Sequence, residues 1–460
     1  LKQPTIGIIS LGCPKNTADT EVMLGLLDKA GFTVTFDEEQ ADICLVNTCS
    51  FIGEARQESV KTLVELAEAG KEIVIAGCMA QHYKEELFKE IPEARALIGT
   101  GDINKVVDVF TAITQDRKLR LSVISDHPTY ITEDILPRMS TNTGPFAYLK
   151  IAEGCNHTCS FCIIPKLRGK FRSRTLESLV EETKILVAGG AKEIILISQD
   201  TTYYGLDIYG RQALPELLKA LHEVEGLQWI RIMYAYPTEA NEDLLKTIAS
   251  LPKVVNYIDI PLQHSHPEIL SKMARPLHPE KVVDSIRKHI PDVRIRTTFI
   301  VGFPGETDEH FEHLVKFIET HRFDRLGVFT YSQEMEVPSG HMENQIKESV
   351  KKSRRARIMQ IQQSIAQELN QKLIGSYLPV LLEEYDDRSG LYSGRSPWDA
   401  PQIDNQVYVE GDGINIGDIV MVKIDRIAAY DLYGSLVDSD LQSLLKEEKA
   451  SRTKSLSLRR

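Results

Sequence analysis

The 460-residue chain lacks several features that would have settled its class at once. No stretch approaches the ~18 consecutive apolar residues of a membrane span, so no transmembrane helix is expected. The start, LKQPTIGIIS, has neither a basic segment ahead of an apolar core nor an Arg-rich amphipathic pattern, so a cytoplasmic location is the default; the missing initiator Met suggests processing or a trimmed sequence. An excess of positive charge is also absent. Lys and Arg total 54 against 66 Asp and Glu, a net charge of -12, which argues against indiscriminate binding to a phosphate backbone and favours a basic partner. Cysteine is scarce and odd in number: Cys13, Cys44, Cys49, Cys78, Cys155, Cys159 and Cys162. Without an export signal these read as metal ligands, catalytic thiols or core filler before disulfides.

What is present is the composition of an ordinary globular protein, 42% hydrophobic and 26% charged. The length exceeds the ~250 to 300 residues at which single cores stop growing, so two or three domains are expected. Residues 1–125 alternate short apolar runs with helical patterns, which argues for an open parallel sheet covered by helices. Residues 126–143 are rich in turn formers and read as a linker. Over 144–372 the alternation resumes with six candidate strands, FAYLKIAE, EIILISQD, WIRIMYAYP, YIDIPLQ, VRIRTTFIVGFP and RLGVFTYS, enough for a partial barrel of six strand-helix units. Residues 373–440 turn to short alternating strands broken by Gly, Pro and Asp, the pattern of a small antiparallel barrel of the oligonucleotide-binding class. The polar tail 441–460 is expected to be disordered. The fold class is therefore α/β with a small β-barrel appended.

Three strands of the first unit end in cysteine: TIGIISLGC, ADICLVNTC and KEIVIAGC. Cys13, Cys49 and Cys78 thus fall where open parallel sheets bind ligands, at strand carboxyl ends. Cys44 sits mid-strand and reads as a buried core thiol. In AEGCNHTCSFCIIPKLRG, Cys155, Cys159 and Cys162 follow a strand with spacing C-x3-C-x2-C. A loop that turns back over so few residues can aim three thiolates at one point, which suits three corners of an iron-sulfur cube with the fourth iron open. Spacing alone leaves a zinc knuckle, completed by a distant Cys or by His157, as the alternative.

With Phe161 just before the third cysteine and six strand-helix units around it, this segment closely resembles the radical S-adenosylmethionine (SAM) enzymes. The resemblance implies a [4Fe-4S] cluster on Cys155, Cys159 and Cys162. Its open iron would be chelated by the amino and carboxylate groups of SAM, and one electron would cleave the sulfonium to a 5'-deoxyadenosyl radical. Gly189 and Gly190 resemble the family's glycine pair near the methionine amino group. Without the resemblance they read as a helix C-cap and turn. IVGFPGET, with Gly302 and Glu306, resembles the strand-end motif beside the nucleotide; unaided, it is a Gly-Pro turn leading into a helix capped by Thr307. SLGCPKN, VNTCSF and AGCMAQ resemble the N-terminal domain of the methylthiotransferases, and the likeness runs on through a C-terminal TRAM barrel. It implies a second [4Fe-4S] cluster on Cys13, Cys49 and Cys78, one iron of which carries sulfur, together with two SAM molecules, an electron donor protein and a sulfur source.

One branch of that family modifies an adenosine of tRNA; the other, the RimO type, modifies an aspartate of the twelfth small-subunit ribosomal protein. Between Ser376 and Val437 there are eleven acids and four bases. Such a barrel should repel tRNA and steer a basic ribosomal protein, unless its acidity serves solubility alone. CSFCIIPKLRGKFRSR, LISQDTTYYG, GRSPWDAPQID and YDLYGSLV also look like the ribosomal-protein branch. The basic residues Arg168, Lys170, Arg172 and Arg174, and the helix around Lys351 to Arg357, are the counterargument. They read as a solvated face, or as an Arg near the cluster that orients the substrate carboxylate. His264 and His266 receive no role. Replacing an unactivated aspartate C-H by C-S-CH3 requires radical chemistry, so the two α/β units should pack with their strand carboxyl ends toward each other.

Overall fold

The computed structural model describes residues 3–131, 135–142 and 144–437; the expected polar tail lies outside them. The first unit is a parallel sheet of β1 (Thr5–Ser10), β2 (Thr33–Thr35), β3 (Ile43–Thr48), β4 (Glu72–Gly77), β5 (Ala94–Ile98) and β6 (Leu121–Val123), in the order β2-β1-β3-β4-β5-β6. Every residue of β3 is buried because helices cover both faces. Ile43 and Leu45 point to the layer that holds helices Pro14–Lys29 and Val106–Gln115, whereas Cys44 and Val46 point to the layer of Gly53–Glu68. Cys44 is fully enclosed there, as a core thiol.

The second unit runs from β7 (Phe146–Lys150) through a two-strand antiparallel hairpin, β8 (Ala152–Glu153) with β9 (Arg172–Ser173), to β10 (Glu193–Ile197), β11 (Trp229–Ile232), β12 (Val254–Asp259), β13 (Arg294–Val301) and β14 (Arg325–Thr330). Strands β7 and β10 to β14 pair in parallel and in chain order, the six-unit partial barrel expected. The third unit is a closed five-stranded barrel of β15 (Tyr377–Asp386), β16 (Leu391–Arg395), β17 (Val407–Glu410), β18 (Ile419–Ile427) and β19 (Leu432–Leu436), filled by Val380, Leu382, Val409, Val422 and Ile424. No helix among the described residues is long and apolar enough to cross a membrane.

The segment read as a linker is fastened where it is described. Met139 N-H donates to Glu21 O (3.0 Å), the Pro137 carbonyl lies against Gly25 so closely that a Cβ there would collide, and buried Arg138 pairs with both Glu21 and Glu182. This guanidinium joins the first unit to the second, which turn-rich composition could not reveal.

The small barrel packs on the inner face of the partial barrel through Leu381 and Ala400, which meet Tyr148, Ile195 and Tyr257. Beneath them Glu193 accepts from Arg231 Nε (2.7 Å) and Arg395 Nη2 (2.6 Å), and Arg395 also reaches Glu383 (2.6 Å). All but Glu383 are essentially inaccessible. Removing one partner of a buried ion group leaves uncompensated charge, so Glu193→Ala should cost about 3–5 kcal/mol in chemical denaturation. Burial pushes the Glu193 carboxyl up, but Arg231 and Arg395 outweigh it and hold it below its ordinary 4.5. Its contribution should therefore be complete above pH 4.5 and fade as the pH falls below it. A variant within about 1 kcal/mol of wild type would contradict this.

Candidate active site

Strands β1, β3 and β4 are adjacent in the first sheet, so the residues after them sit side by side. Cys13 is the N-cap of helix Pro14–Lys29, Cys49 follows β3, and Cys78 opens the short helix after β4. Glycines shape two of these corners: Gly12 has φ +94° and Gly77 φ +88°. A Cβ on Gly12 would come within 2.7 Å of Cys49 Cβ and 3.2 Å of its Sγ, so glycine lets the Cys13 corner approach Cys49. Asn16 Nδ2 donates to the carbonyls of Leu11 (2.9 Å) and Thr48 (3.0 Å), stitching the two strand ends together. Burial, and then the neighbouring Cys78, push the Cys49 thiol up to about 12; burial also raises Cys78. Thiols so placed stay neutral until a cation replaces their protons, which is the chemistry of a metal-ligand set.

The second set lies in the loop bracketed by the β8-β9 hairpin. Cys155 N-H donates to Gly169 O (3.1 Å), and Ser160 binds the carbonyls of Met273 (3.0 Å) and Lys272 (2.8 Å). Burial pushes Cys155 up to about 11, against the pull of the His157 N-H (3.4 Å from its Sγ), and Cys162 up to about 12. Arg275 Nη1 lies 3.6 Å from Cys159 Sγ. Its guanidinium covers one face of Tyr236, with 4.3 Å to the centroid, and Tyr236 stacks on His157 at 3.6 Å with an interplanar angle of 6°. His157 Nε2 is paired with Asp200 Oδ2 at 2.7 Å, and the ring lies flat between that contact and Tyr236.

The two sets face each other. Lys15, two residues after Cys13, donates to Ser198 O (3.2 Å) just past β10, and its ammonium sits 3.1 Å from the centroid of Tyr234, just past β11. Tyr234 takes φ +61°, an uncommon conformation for an aromatic residue, fixed by its N-H on Asp259 Oδ2 (3.0 Å). Burial lowers the Lys15 pKa in spite of Cys13. Beside it Glu153 accepts from Lys150 (2.9 Å) and Arg168 (2.9 Å), and Asp19 pairs with both cations. Burial acts to raise the Glu153 carboxyl, yet Arg168 and Lys150 prevail and hold it well below the usual range.

Phe161 packs against Met273, Phe303 and Tyr331, which brings the cysteine loop next to the turn after β13. In that turn Gly302 has φ +74°, and a Cβ on it would collide with the Lys351 side chain. Glu306 turns inward: its carboxylate accepts from Gly302 N (2.8 Å) and from Arg354 (2.7 Å), so it braces the turn. Thr307 caps the following helix in a capping box with His310. Gly189 and Gly190 lie elsewhere. Gly189 is the C-cap of helix Leu176–Ala188, and the pair precedes the first residue of β10. A five-residue strand spans about 16 Å, and the cysteines are at its other end. At the carboxyl end of β10 stand Ser198, Gln199 and Asp200 instead.

The arginines considered as a carboxylate clamp are committed elsewhere. Arg174 pairs with Glu182 and Ser178, Arg172 donates to backbone carbonyls, and Arg168 is held by Glu153 and Asp19. His264 is buried, accepts the His266 N-H on Nδ1 (2.9 Å), and is pushed down to about 3 by burial, so it stays neutral. Among the described residues, His266, Glu268 and His310 are the one set of three candidate metal ligands with donor atoms within 4.8 Å of one another. Both rings accept a backbone N-H on Nδ1 (3.3 and 3.2 Å), whereas a metal-bound imidazole donates from its second nitrogen, so these rings are helix caps. Lys15, Asp200, Tyr236 and Arg275 were missed from sequence. For Asp200 and Tyr236 the only signal was a position just past a strand, and Arg275, which follows the short helix Pro267–Lys272, gave none.

A three-cysteine loop at the mouth of a six-stranded parallel partial barrel is the architecture of a radical SAM enzyme. Residues 149–318 match the family model described as Radical SAM superfamily, residues 5–99 that of Uncharacterized protein family UPF0004, and residues 374–437 the TRAM domain. The radical SAM methyltransferase TsrM from Kitasatospora setae shares the fold, with a TM-score of 0.55 over 74% of this chain and 77% of that one at 15% identity. Ribosomal protein uS12 methylthiotransferase RimO of Gloeothece citriformis is 51% identical over 439 residues, 95% of this chain and 99% of the relative. That of Nostoc punctiforme is 51% identical over 440 residues, with the same coverage. The chain belongs to the RimO family of radical SAM methylthiotransferases.

Gly189 has room for a methyl group, its nearest neighbours being 3.4 Å from a Cβ. Gly189→Ala should therefore leave SAM affinity, measured by equilibrium dialysis on reconstituted enzyme, within about twofold of wild type, whereas Gly302→Ala should weaken it about tenfold. The reverse order would restore the glycine pair to the site.

Proposed function

We propose that the protein adds a methylthio group to the β-carbon of an aspartate in ribosomal protein uS12. In this reading Cys155, Cys159 and Cys162 hold the [4Fe-4S] cluster that binds SAM, and Cys13, Cys49 and Cys78 hold a second. The observation that carries it is the confrontation of two cysteine triads, each partly or fully buried, at the carboxyl ends of two parallel sheets, bridged by Lys15 and Arg168. The fit rests on the donor sets: each triad consists of free thiols, raised by burial where a shift is resolved, with a guanidinium N-H directed at one sulfur. When bound, the clusters supply the electron for SAM cleavage and a site for the transferred sulfur.

The chain's own residues enclose and orient. Phe161, Phe303 and Tyr331 close the apolar side of the SAM cysteine loop, and Arg275, Tyr236 and His157 clamp it from the other side. Lys150 and Arg168 are balanced by Asp19 and Glu153 where the two units meet, and Lys15 adds a further cation beside them, in a region where burial makes each charge count for more. Among the described residues Arg168, Arg172, Arg174 and Arg275 are all committed to other partners, so recognition of the target carboxylate falls to the wider surface. Three acids of the small barrel, Glu383, Asp399 and Asp404, are used internally against Arg395, Arg325 and Arg296. Its exposed face still carries Glu384, Asp386, Asp387, Glu410, Asp412, Asp418 and Asp425 against Arg388, Lys423 and Arg426. That balance favours a basic protein over tRNA. An electron donor and a sulfur source complete the partners, and a ribosomal substrate fits a cytoplasmic setting.

Anaerobic incubation with SAM, reductant, uS12 and bulk tRNA, read by mass spectrometry, should place a methylthio group on an aspartate of uS12 and none on tRNA; a modified adenosine would reverse the assignment. Changing Glu384, Asp386 and Asp387 together to Lys should lower kcat/KM for uS12 about tenfold at low salt, with the gap closing once the Debye length falls below about 8 Å. A salt-independent loss would mean that the residues act through folding.

A further inference from the structure

Arg168 makes one contact that its ion pairs do not require. It ends the short helix Ile164–Arg168, six residues after Cys162, yet its guanidinium crosses into the first unit. Nη2 donates to Asn16 Oδ1 (2.7 Å) and lies 3.6 Å from the sulfur of Cys78; Nη1 meets Glu153 (2.9 Å) and Asp19 (3.2 Å). The side chain is 2% exposed. Asp19 and Glu153 already have Lys150, so two carboxylates face two cations and the local charge closes without the sulfur. A neutral thiol is a weak acceptor, whereas a thiolate is a strong one, so an N-H fixed on Cys78 Sγ gains most when that sulfur is a metal ligand. Arg275 makes the corresponding contact with Cys159 from within its own unit (3.6 Å). Cys78 also packs against Ile163, the N-cap of the helix that ends in Arg168, and against Leu167 within it.

We infer that Arg168 is a positioning residue that raises the reduction potential of the cluster held by Cys13, Cys49 and Cys78, and that it does so from the loop carrying the other cluster. This rests on the two-cluster reading above. Reduction adds negative charge that spreads onto the ligand sulfurs, and a charge-assisted N-H on one of them stabilises the reduced form. Because the donor belongs to the second unit, the potential of the first unit's cluster depends on the two units being closed. Domain packing thereby sets a redox property.

The full-length chain with Cys155, Cys159 and Cys162 replaced by Ala isolates the first unit's cluster. After anaerobic reconstitution it should retain about four irons per chain. If it retains none, the two-cluster reading fails, whatever Arg168 does. With iron retained, a potentiometric titration followed by electron paramagnetic resonance should give a lower midpoint for Arg168→Gln than for Arg168, with Arg168→Lys in between. Equal midpoints in all three would overturn the inference. Glu153→Gln removes a partner of Nη1 and leaves in place the Nη2 that faces the sulfur, and a fall in midpoint as large as that of Arg168→Gln would also overturn it. Should Arg168→Gln fail to hold iron, Asn16→Ala, which releases Nη2 from its second anchor, should lower the midpoint; an unmoved midpoint there counts against the inference.

Discussion

Four charged side chains from two domains, Asp19, Lys150, Glu153 and Arg168, lie together, three of them buried and Lys150 nearly so. Each would be costly to bury alone, and each is paired at least twice. An arrangement of this kind tolerates little sliding, because moving one unit by the length of a hydrogen bond strands a charge. It therefore fixes how the two parallel sheets meet, and the sheets can meet in this way only with their strand carboxyl ends facing. Everything attributed to the cysteines depends on that orientation. Arg138, between Glu21 and Glu182, repeats the device on the far side of helix Pro14–Lys29.

The same burial that makes charges demanding makes the thiols inert. Cys49, Cys78, Cys155 and Cys162 are all shifted toward the protonated form, chiefly by burial. The guanidiniums of Arg168 and Arg275 each lie 3.6 Å from one of the sulfurs, where they would meet the charge of a thiolate held by a cluster. The small barrel serves this centre from a distance: its buried acids lock it under the partial barrel, and its remaining acids face outward.

Much of this was legible in the sequence, because strand-helix alternation is periodic and the cysteines stand at its punctuation. All six strands of the central unit were readable from their apolar runs, and so were the three strand ends that carry Cys13, Cys49 and Cys78. Short edge strands such as Thr33–Thr35 and Leu121–Val123 were not, since three residues carry no period. The glycine pair at 189–190 was misplaced because a helix C-cap before a strand and a ligand turn after one are both written with glycine; only the three-dimensional order separates them. Charge counting on the barrel gave the right sign and too large a surface value, because Glu383, Asp399 and Asp404 pair across interfaces that no local pattern announces. Arg168 and Cys78 are 90 residues apart, and Arg275 and Cys159 are 116 apart. Such contacts belong to the tertiary fold alone.

The central claim is that the two cysteine triads hold two clusters that face each other where the two units meet. Electron paramagnetic resonance of the fully reduced, doubly loaded enzyme addresses it directly, against the spectra of the two triple-alanine variants that each keep one cluster. Neighbouring clusters couple their spins, so the account predicts a spectrum that differs from the sum of the two single-cluster spectra. A spectrum equal to that sum, with both clusters fully reduced, would show that the triads do not share a site.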